Sequence, residues 1–397
     1  MRIAFLTTEY PSELPDAGGL ATYVHRMARL LQEFGHEPEI FVTCRSESST
    51  ISYDGVSVHR VGWNYQPRIL RIGQRASRRL IPSRTWNDSV ELVLRAYALA
   101  RALEHRHALA PFDLIQSSDY LAAGLLVRRR PDRVHAVRCS TAADLYNAFD
   151  QNRSGSETVR AYLEGLTMRR AVVAYAPSRY VADHFSRVHR TKLHVIRPPL
   201  HMEISETQPL PFALPNRFFI HFGMLIERKG TGLLAEALPL AWKMAPDLTM
   251  VWSGKYFDQS KLRRWQSLWG DRATQVQITG PLPRPQLYAV LRRADAAVLP
   301  SQVDNLPNTV IESLSLGIPV LGSRGASIDE LVEEGKTGHL VELGNVDDLA
   351  KALARLWLKN SPVSKGFIWR SKIADEMKPE QALANFLRLC APGGSRE

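Results

Sequence analysis

The sequence predicts an α/β protein built on parallel sheets that helices cover on both faces. Three observations lead there. Apolar, β-branched runs of strand length recur without polar alternation at their centres, as in Ile3 to Thr8 and in the ADAAVLPS run ending at Ser301. Strands buried on both faces read this way. Segments of helical period follow these runs through both halves of the chain, the alternation expected of βαβ units. Finally, 397 residues, 45% of them hydrophobic and 23% charged, suffice for two globular domains. In such sheets ligands bind outside the carboxyl ends of the strands, so function is sought in the loops there.

A net charge of +11 favours anionic partners: nucleotides, anionic lipid surfaces or nucleic acid. No window has the apolar length of a transmembrane helix. MRIAFLTTEYP reads as a first buried strand rather than a signal peptide. The three cysteines, Cys44, Cys139 and Cys390, lie far apart without metal spacing. They read as reduced thiols of a cytoplasmic protein.

Ile3 to Thr8 is the first strand. A loop runs to Gly18-Gly19, a helix follows with apolar residues at Leu20, Val24, Met27, Leu30 and Leu31, and Pro38 to Cys44 is the next strand. Glycines at that helix start suit either close approach of a phosphate or a flexible turn. They are not the dinucleotide fingerprint, since no G-x-G-x-x-G is present. Tyr65 to Trp86 holds six arginines (68, 71, 75, 78, 79, 84) and no acid, with isoleucines and leucines between them. It reads as a membrane-surface or anionic-acceptor patch, or as a solvated basic loop. Helices are expected over Asp88 to Arg106, Leu121 to Arg129 and Tyr162 to Arg170, and another from Ser178 onward. Strands are expected over Phe112 to Gln116, His135 to Cys139, Ala171 to Ala176 and Lys192 to Ile196. Ser205 to Pro215 is rich in proline and polar residues, which sets domains of 1–204 and 205–375 and leaves 376–397 as a terminal helical segment.

In the second half, Phe218 to Phe222 is a strand, GMLIERKG follows, and Thr231 to Met244 is a helix. Arg228 and Lys229 stand just before its N-terminus, where cations and helix dipole would together attract a diphosphate. A solvated charge pair is the ordinary alternative. Leu248 to Gly254 and Val276 to Gly280 are strands, and Gln286 to Arg293 a helix. Then comes DNLPNTVIESLSLGIP, Asp304 to Pro319. Asn308 or Thr309 is placed to N-cap a helix over Val310 to Leu316, which Gly317 ends. Asp304 and Glu312 thus flank a helix N-terminus. That end offers N–H groups to a phosphate, and the carboxylates accept hydrogen bonds from hydroxyls. Equally, Glu312 could simply complement the dipole and Asp304 serve the turn. A further helix is expected over Ile328 to Glu334, then a strand within Gly335 to Leu343, and helices over Asp347 to Leu358 and Gln381 to Leu389.

The Asp304–Pro319 segment resembles the E-x7-E signature of retaining glycosyltransferases of family 4, which have the GT-B fold. Glu312, Gly317, Pro319 and Val320 match; Asp304 stands where Glu is usual, and Pro307 and Asn308 replace a glycine-rich loop. Lys229-Gly230 match the family's K-G, whereas Met224 occupies its usual arginine position. The resemblance spans nearly the whole chain. It implies two Rossmann-like domains facing a central cleft, with the C-terminal helix crossing back to the first. It implies transfer of a sugar from a UDP- or GDP-sugar to a glycan, lipid-linked or small-molecule acceptor, without metal or other cofactor. Lys229 and Arg228 would neutralise the leaving diphosphate, Asp304 hold the sugar hydroxyls and Glu312 the ribose diol. Gly18, Gly19 and Gly223 would approach the phosphates and Gly280 the base. The backbone of Asn305, Leu306, Asn308 and Thr309 would contact sugar and phosphate. Where the family often carries histidines after two first-domain strands, this chain has Ser118 and Ser140. No histidine or nucleophile is therefore assigned, and Asp119 becomes the candidate ligand of the acceptor hydroxyl. A nucleotide-sugar-binding protein without transfer activity is the alternative. A Rossmann oxidoreductase lacks its fingerprint, and nucleic-acid binding has no recognition motif beside the charge.

Overall fold

In the computed structural model the described residues are 1–14, 18–63, 84–151, 154–200, 208–255, 258–358 and 363–391, with only the backbone of 84–87. The basic segment from Tyr65 to Trp86 therefore falls outside the described side chains. The chain divides into two compact units, Met1–His201 with Glu376–Glu397, and Met202–Asp375.

The first unit is an eight-stranded sheet in the order β3-β4-β2-β1-β5-β6-β7-β8. Its strands are β1 (Arg2–Thr7), β2 (Glu37–Cys44), β3 (Ser49–Tyr53), β4 (Val56–Gly62), β5 (Leu114–Ser118), β6 (Val134–Arg138), β7 (Val173–Ala176) and β8 (His194–Val195). Its helices are α1 (Gly19–Glu33), α2 (Arg84–Leu109), α3 (Ala143–Phe149), α4 (Gly155–Arg170) and α5 (Arg179–His189). The charge-free strands follow from burial on both faces. Ile3 and Phe5 of β1 pack with Val24, Met27 and Leu31 of α1 on one side. Ala4 and Leu6, pointing the other way, pack with Leu99 and Leu103 of α2. The edge strand β3 runs antiparallel to β4. Asp54 and Gly55 both take positive φ, 47° and 78°, as a two-residue hairpin turn of type I′ requires. That Asp-Gly pair was the available signal for a hairpin that periodicity did not bring out.

The second unit is a six-stranded parallel sheet in the order β11-β10-β9-β12-β13-β14. Its strands are β9 (Phe219–Met224), β10 (Met250–Lys255), β11 (Val276–Gly280), β12 (Ala296–Leu299), β13 (Val320–Ser323) and β14 (Gly338–Val341). Between them run α6 (Thr231–Met244), α7 (Gln259–Trp269), α8 (Arg284–Arg293) and α9 (Asn308–Ser315), and α10 (Val346–Trp357) follows β14. Its largest core sets Phe219, Met250 and Trp252 against Leu234, Leu238 and Trp242 of α6 and Leu349, Leu353 and Trp357 of α10. After the short helix α11 (Lys372–Glu376), α12 (Pro379–Cys390) returns to the first unit. There Leu383 and Phe386 join the α1 face of the core, with the Phe386 ring 5.8 Å from that of Tyr175.

Three local expectations are corrected. Leu121 to Arg129 is not a helix; a single 3-10 turn, Tyr120–Ala122, stands there. Leu121 and Ala122 are both left-handed, φ 52° and 54°, and the Leu121 N–H donates to Glu164 Oε1 at 3.0 Å. Ile328 to Glu334 is likewise one turn, Ile328–Glu330. The Glu333 N–H that would extend the helix donates instead to the Thr337 hydroxyl at 2.9 Å. Third, α9 begins at Asn308, with Pro307 rather than Asn308 or Thr309 at its N-cap and no side chain capping it. The Pro307 carbonyl accepts the Val310 and Ile311 N–H groups, at 3.1 and 3.2 Å.

Candidate functional site

Each sheet reverses its strand order at one place, between β1 and β5 in the first unit and between β9 and β12 in the second. Connections leave such neighbouring strands in opposite directions, so a crevice opens above their carboxyl ends. In the second unit, Lys229 follows β9 and Asp304 follows β12, one on each side of that reversal. Backbone contacts hold the two loops together: the Arg228 carbonyl accepts the N–H groups of Gln302 (2.8 Å) and Val303 (3.3 Å). Gly230, at φ 75°, lies so close to Pro300 that a Cβ would stand 2.0 Å from its carbonyl oxygen. Only glycine fits there, and that fit delivers Lys229 to Asp304.

The Lys229 ammonium forms an ion pair with Asp304 Oδ2. Asp304 is buried, its Oδ1 accepting the Asn305 N–H at 3.0 Å and its Oδ2 the Ser301 hydroxyl at 3.5 Å. Beneath the pair lies a residue that pattern reading passed over, His221, in the middle of β9. It is fully enclosed, and burial pushes its pKa down to about 4. Its ring is therefore neutral at pH 7. Nδ1 lies 2.8 Å from the Val298 carbonyl and so must carry the proton; Nε2 accepts from the Thr231 hydroxyl at 3.0 Å. One imidazole thus ties β9, β12 and the first residue of α6 together. A histidine inside the apolar run FIHFG was its signal.

Around this pair stand the other second-unit candidates. Gly223, the next-to-last residue of β9, has φ 108°, and a Cβ there would sit 3.0 Å from Thr309 Cγ2 at the start of α9. The strand end and the uncapped N-terminus of α9 therefore approach closely. Asn305 is buried, Leu306 and Thr309 are half-buried, and Asn308 is exposed. Glu312, in the second turn of α9, is half-buried and accepts the Tyr288 hydroxyl at 3.5 Å. Tyr288 comes from α8 and was not anticipated. The Gly280 carbonyl, at the end of β11, accepts the Ser253 and Thr279 hydroxyls at 3.2 and 3.1 Å. Met224 is exposed beyond Gly223.

The first unit's crevice carries a different chemistry. Gly18 is the N-cap of α1 and Gly19 its first residue; both are exposed, and no acid stands in the first turn. Asp119, proposed from sequence to meet a hydroxyl, is turned inward and 1% exposed. Its Oδ1 accepts the Ser140 N–H at 2.6 Å, and its Oδ2 lies 3.4 and 3.3 Å from the N–H groups of Thr141 and Ala142. Those donors follow β6, and Ala142 is left-handed at φ 47°. Asp119 thus fixes the loop after β6 rather than offering its carboxylate to solvent. Behind it is Glu164 of α4, also buried. Burial, reinforced by the Asp119 charge, pushes its pKa up to about 8. The Thr141 hydroxyl stands 3.4 Å from Asp119 Oδ2 and 3.3 Å from Glu164 Oε2. A hydroxyl has one proton, so both contacts are satisfied when Glu164 is protonated and donates to Thr141, which donates to Asp119. After β1, Glu9 is half-buried and bonded to the Tyr120 hydroxyl; burial raises its pKa. Neither Glu9 nor Glu164 lies in a motif, and no sequence spacing marked them.

Among the described residues, no group of three or more His, Cys, Asp or Glu could hold a metal ion. No helix among them is long and apolar enough to cross a membrane.

Two crevices at strand-order reversals, in two Rossmann-like units, define a two-domain α/β class in which the carboxyl ends of the strands are the place for ligands. Comparison with known proteins agrees. Residues 216–359 match the family model described as glycosyl transferases group 1, and residues 18–199 that of the glycosyl transferase 4-like domain. The chain is 26% identical to a D-inositol 3-phosphate glycosyltransferase from Arthrobacter sp., over 93% of this chain and 89% of that one. Its fold is similar to that of a sucrose-phosphate synthase from Thermosynechococcus elongatus (TM-score 0.69, 18% identity, 96% of this chain and 94% of that one). It is also similar to that of HepE from Anabaena, solved with UDP and glucose (TM-score 0.65, 17% identity, 98% and 99% covered). The chain belongs to the group 1 glycosyl transferases, and its fold is GT-B.

Proposed function

We propose that the protein transfers a sugar, with retention of anomeric configuration, from a nucleoside diphosphate sugar to an acceptor hydroxyl in the synthesis of a glycan, polysaccharide or glycolipid. The observation that carries this reading is the Lys229–Asp304 pair at the β9/β12 reversal, beside the uncapped N-terminus of α9. An ammonium and helix N–H groups suit the diphosphate that leaves when the glycosidic bond breaks, and stabilising developing charge is usually the largest catalytic contribution. These groups would take the part that a metal ion plays elsewhere, with Arg228 adding a second cation. Asp304, held by Asn305 N–H and Ser301, would accept hydrogen bonds from the sugar hydroxyls once Lys229 turns to phosphate. Glu312 would hold the ribose diol and the loop after Gly280 the base. Gly223 and the backbone from Asn305 to Thr309 would line the sugar and phosphates, and Gly18 and Gly19 would face the diphosphate. HepE was solved with UDP and glucose, which supports a UDP-sugar donor; a GDP-sugar fits the same groups. Asp119 would act on the acceptor side only indirectly, by holding the Ser140–Ala142 loop.

Glu312→Gln should weaken donor binding by roughly 1.5–3 kcal/mol, the worth of a hydrogen bond to a charged acceptor, with little change in fold. Titration with the nucleoside diphosphate and with its sugar checks this, and equal affinity for wild type and variant would remove the ribose role. A protein that binds the donor but neither transfers nor hydrolyses its sugar would be a binding module instead.

The acceptor is proposed to be anionic or held at the cytoplasmic face of a membrane. The basis is the six arginines without an acid between Tyr65 and Trp86. Each basic residue near an anionic surface contributes about 1 kcal/mol, a contribution that salt screens. Sedimentation with anionic vesicles should therefore fall steeply as salt rises, and again when Arg75, Arg78 and Arg79 become Gln. The absence of any preference for anionic over neutral vesicles at low salt would leave a soluble acceptor.

A further inference from the structure

We propose, resting on the reading of Lys229 as the cation that meets the leaving diphosphate, that His221 and Thr231 form a strut that holds this lysine in position. Strands β9 and β12 pair only at Phe219 with Ala296 and at Ile220 with Ala297. The next residues in that register are His221 and Val298, and there a side chain takes over from the backbone ladder. His221 Nδ1–H donates to the Val298 carbonyl at 2.8 Å, and Nε2 accepts the Thr231 hydroxyl at 3.0 Å. His221 is 1% exposed and Thr231 0%. In β10 the residue paired with His221 is Trp252, whose ring lies 5.5 Å away and edge-on. Burial pushes the imidazole pKa down to about 4, so at pH 7 the ring offers one donor and one acceptor. Both are used, which fixes the direction of each bond. A buried polar network with every member satisfied is rigid.

The ends of the strut lead to the two residues of the ion pair. Thr231 is the first residue of α6, and Lys229 stands just before it, across Gly230. Val298 leads out of β12 into the loop that carries Asp304. The Arg228 carbonyl ties the two loops together near Lys229, at Gln302 and Val303. His221 ties the elements from which those loops spring. Gly230 caps α6 without a side-chain bond, so the Thr231 hydroxyl supplies the side-chain bond that fixes this first turn to the sheet. Without it the first turn of α6 is free to shift against β12, carrying Lys229 with it. Neither His221 nor Thr231 touches the donor in this arrangement; both act through Lys229.

Thr231→Val, close in shape but without the hydroxyl, tests the strut in the full chain. Turnover is read as release of UDP from UDP-glucose or of GDP from GDP-mannose, whichever the wild type uses. Misplacing a reacting group by about 1 Å can cost on the order of 100-fold in rate. Thr231→Val is expected to lower kcat by about tenfold or more. Donor KM should change much less, because the added charge on the diphosphate develops only as the glycosidic bond breaks. Thr231→Ser, which keeps the hydroxyl, should restore most of the rate. In a Lys229→Ala background Thr231→Val should cost little further, since the group it positions is gone. A role confined to stability would lower the melting temperature and cost the same factor in both backgrounds. If Thr231→Val does not fold, His221→Phe, which keeps a ring in the space, carries the same expectations. A folded Thr231→Val as active as wild type, beside an impaired Lys229→Ala, overturns the strut alone. So does an equal loss in both backgrounds, or a Thr231→Ser no better than Thr231→Val. Full activity of Lys229→Ala would overturn the reading of Lys229 and the strut with it.

Discussion

Lys229→Ala is expected to lower kcat/KM by roughly 100-fold or more, the scale seen when one preorganised group facing developing charge is removed. Lys229 closes the 3-10 turn Glu227–Lys229 that follows β9, and this loop is fixed to the loop after β12 by the Arg228 carbonyl and by the fit of Gly230 against Pro300. An alanine there removes the positive charge nearest the β9/β12 reversal. It also leaves Asp304 buried without its cation, so the variant's melting temperature must be measured beside its rate. Lys229→Arg separates the two effects: it keeps the charge for Asp304 but displaces it, and should recover stability more fully than turnover. Arg228→Ala should lose a smaller part of the activity. A Lys229→Ala protein as active as wild type across a donor titration would take this lysine out of the mechanism.

Glu164→Gln is expected to change how stability depends on pH. Glu164 has a folded-state pKa of about 8 against an ordinary 4.5, raised by burial and by Asp119. A group whose pKa is raised on folding contributes stability that is fully present below its unfolded value and lost as pH rises through its folded one. Wild type should therefore lose stability between about pH 4.5 and 8, by at most on the order of 3–5 kcal/mol. Glutamine mimics the protonated acid, accepting from Leu121 N–H and donating to Thr141, and does not ionise. Melting curves from pH 5 to 8.5 should thus run flatter for the variant and cross above wild type at the alkaline end. Parallel curves would mean that Glu164 is not the proton holder of this loop. Because the first-unit crevice is built on that loop, acceptor KM should follow the same pH range in wild type.

Much of the architecture was legible in the residues. Charge-free strand runs forecast sheets covered on both faces, and the alternation of Ile3 and Phe5 against Ala4 and Leu6 shows why: each face has its own helix layer. The helix from Thr231 to Met244 was read at its true ends, because glycine stands before it and the apolar face persists along it. Where reading failed, a long-range polar contact had overridden local preference. Leu121 to Arg129 has helical composition, but Glu164, distant in sequence, claims the Leu121 N–H and holds the backbone left-handed. Thr337 does the same to Glu333.

The same division runs through the candidate site. Sequence by itself determined which loops carry charge beside a helix N-terminus: Arg228-Lys229 before α6, and Asp304 and Glu312 around α9. These are local features, set by residues close together in the chain. Tertiary structure decided that Lys229 and Asp304 meet, because strand order, which no single strand encodes, makes β9 and β12 neighbours. It also decided that Asp119 faces inward. A carboxylate beside three backbone N–H groups is more stable bonded to them than left in water only when the loop after β6 is folded over it, and that loop lies about twenty residues further along the chain.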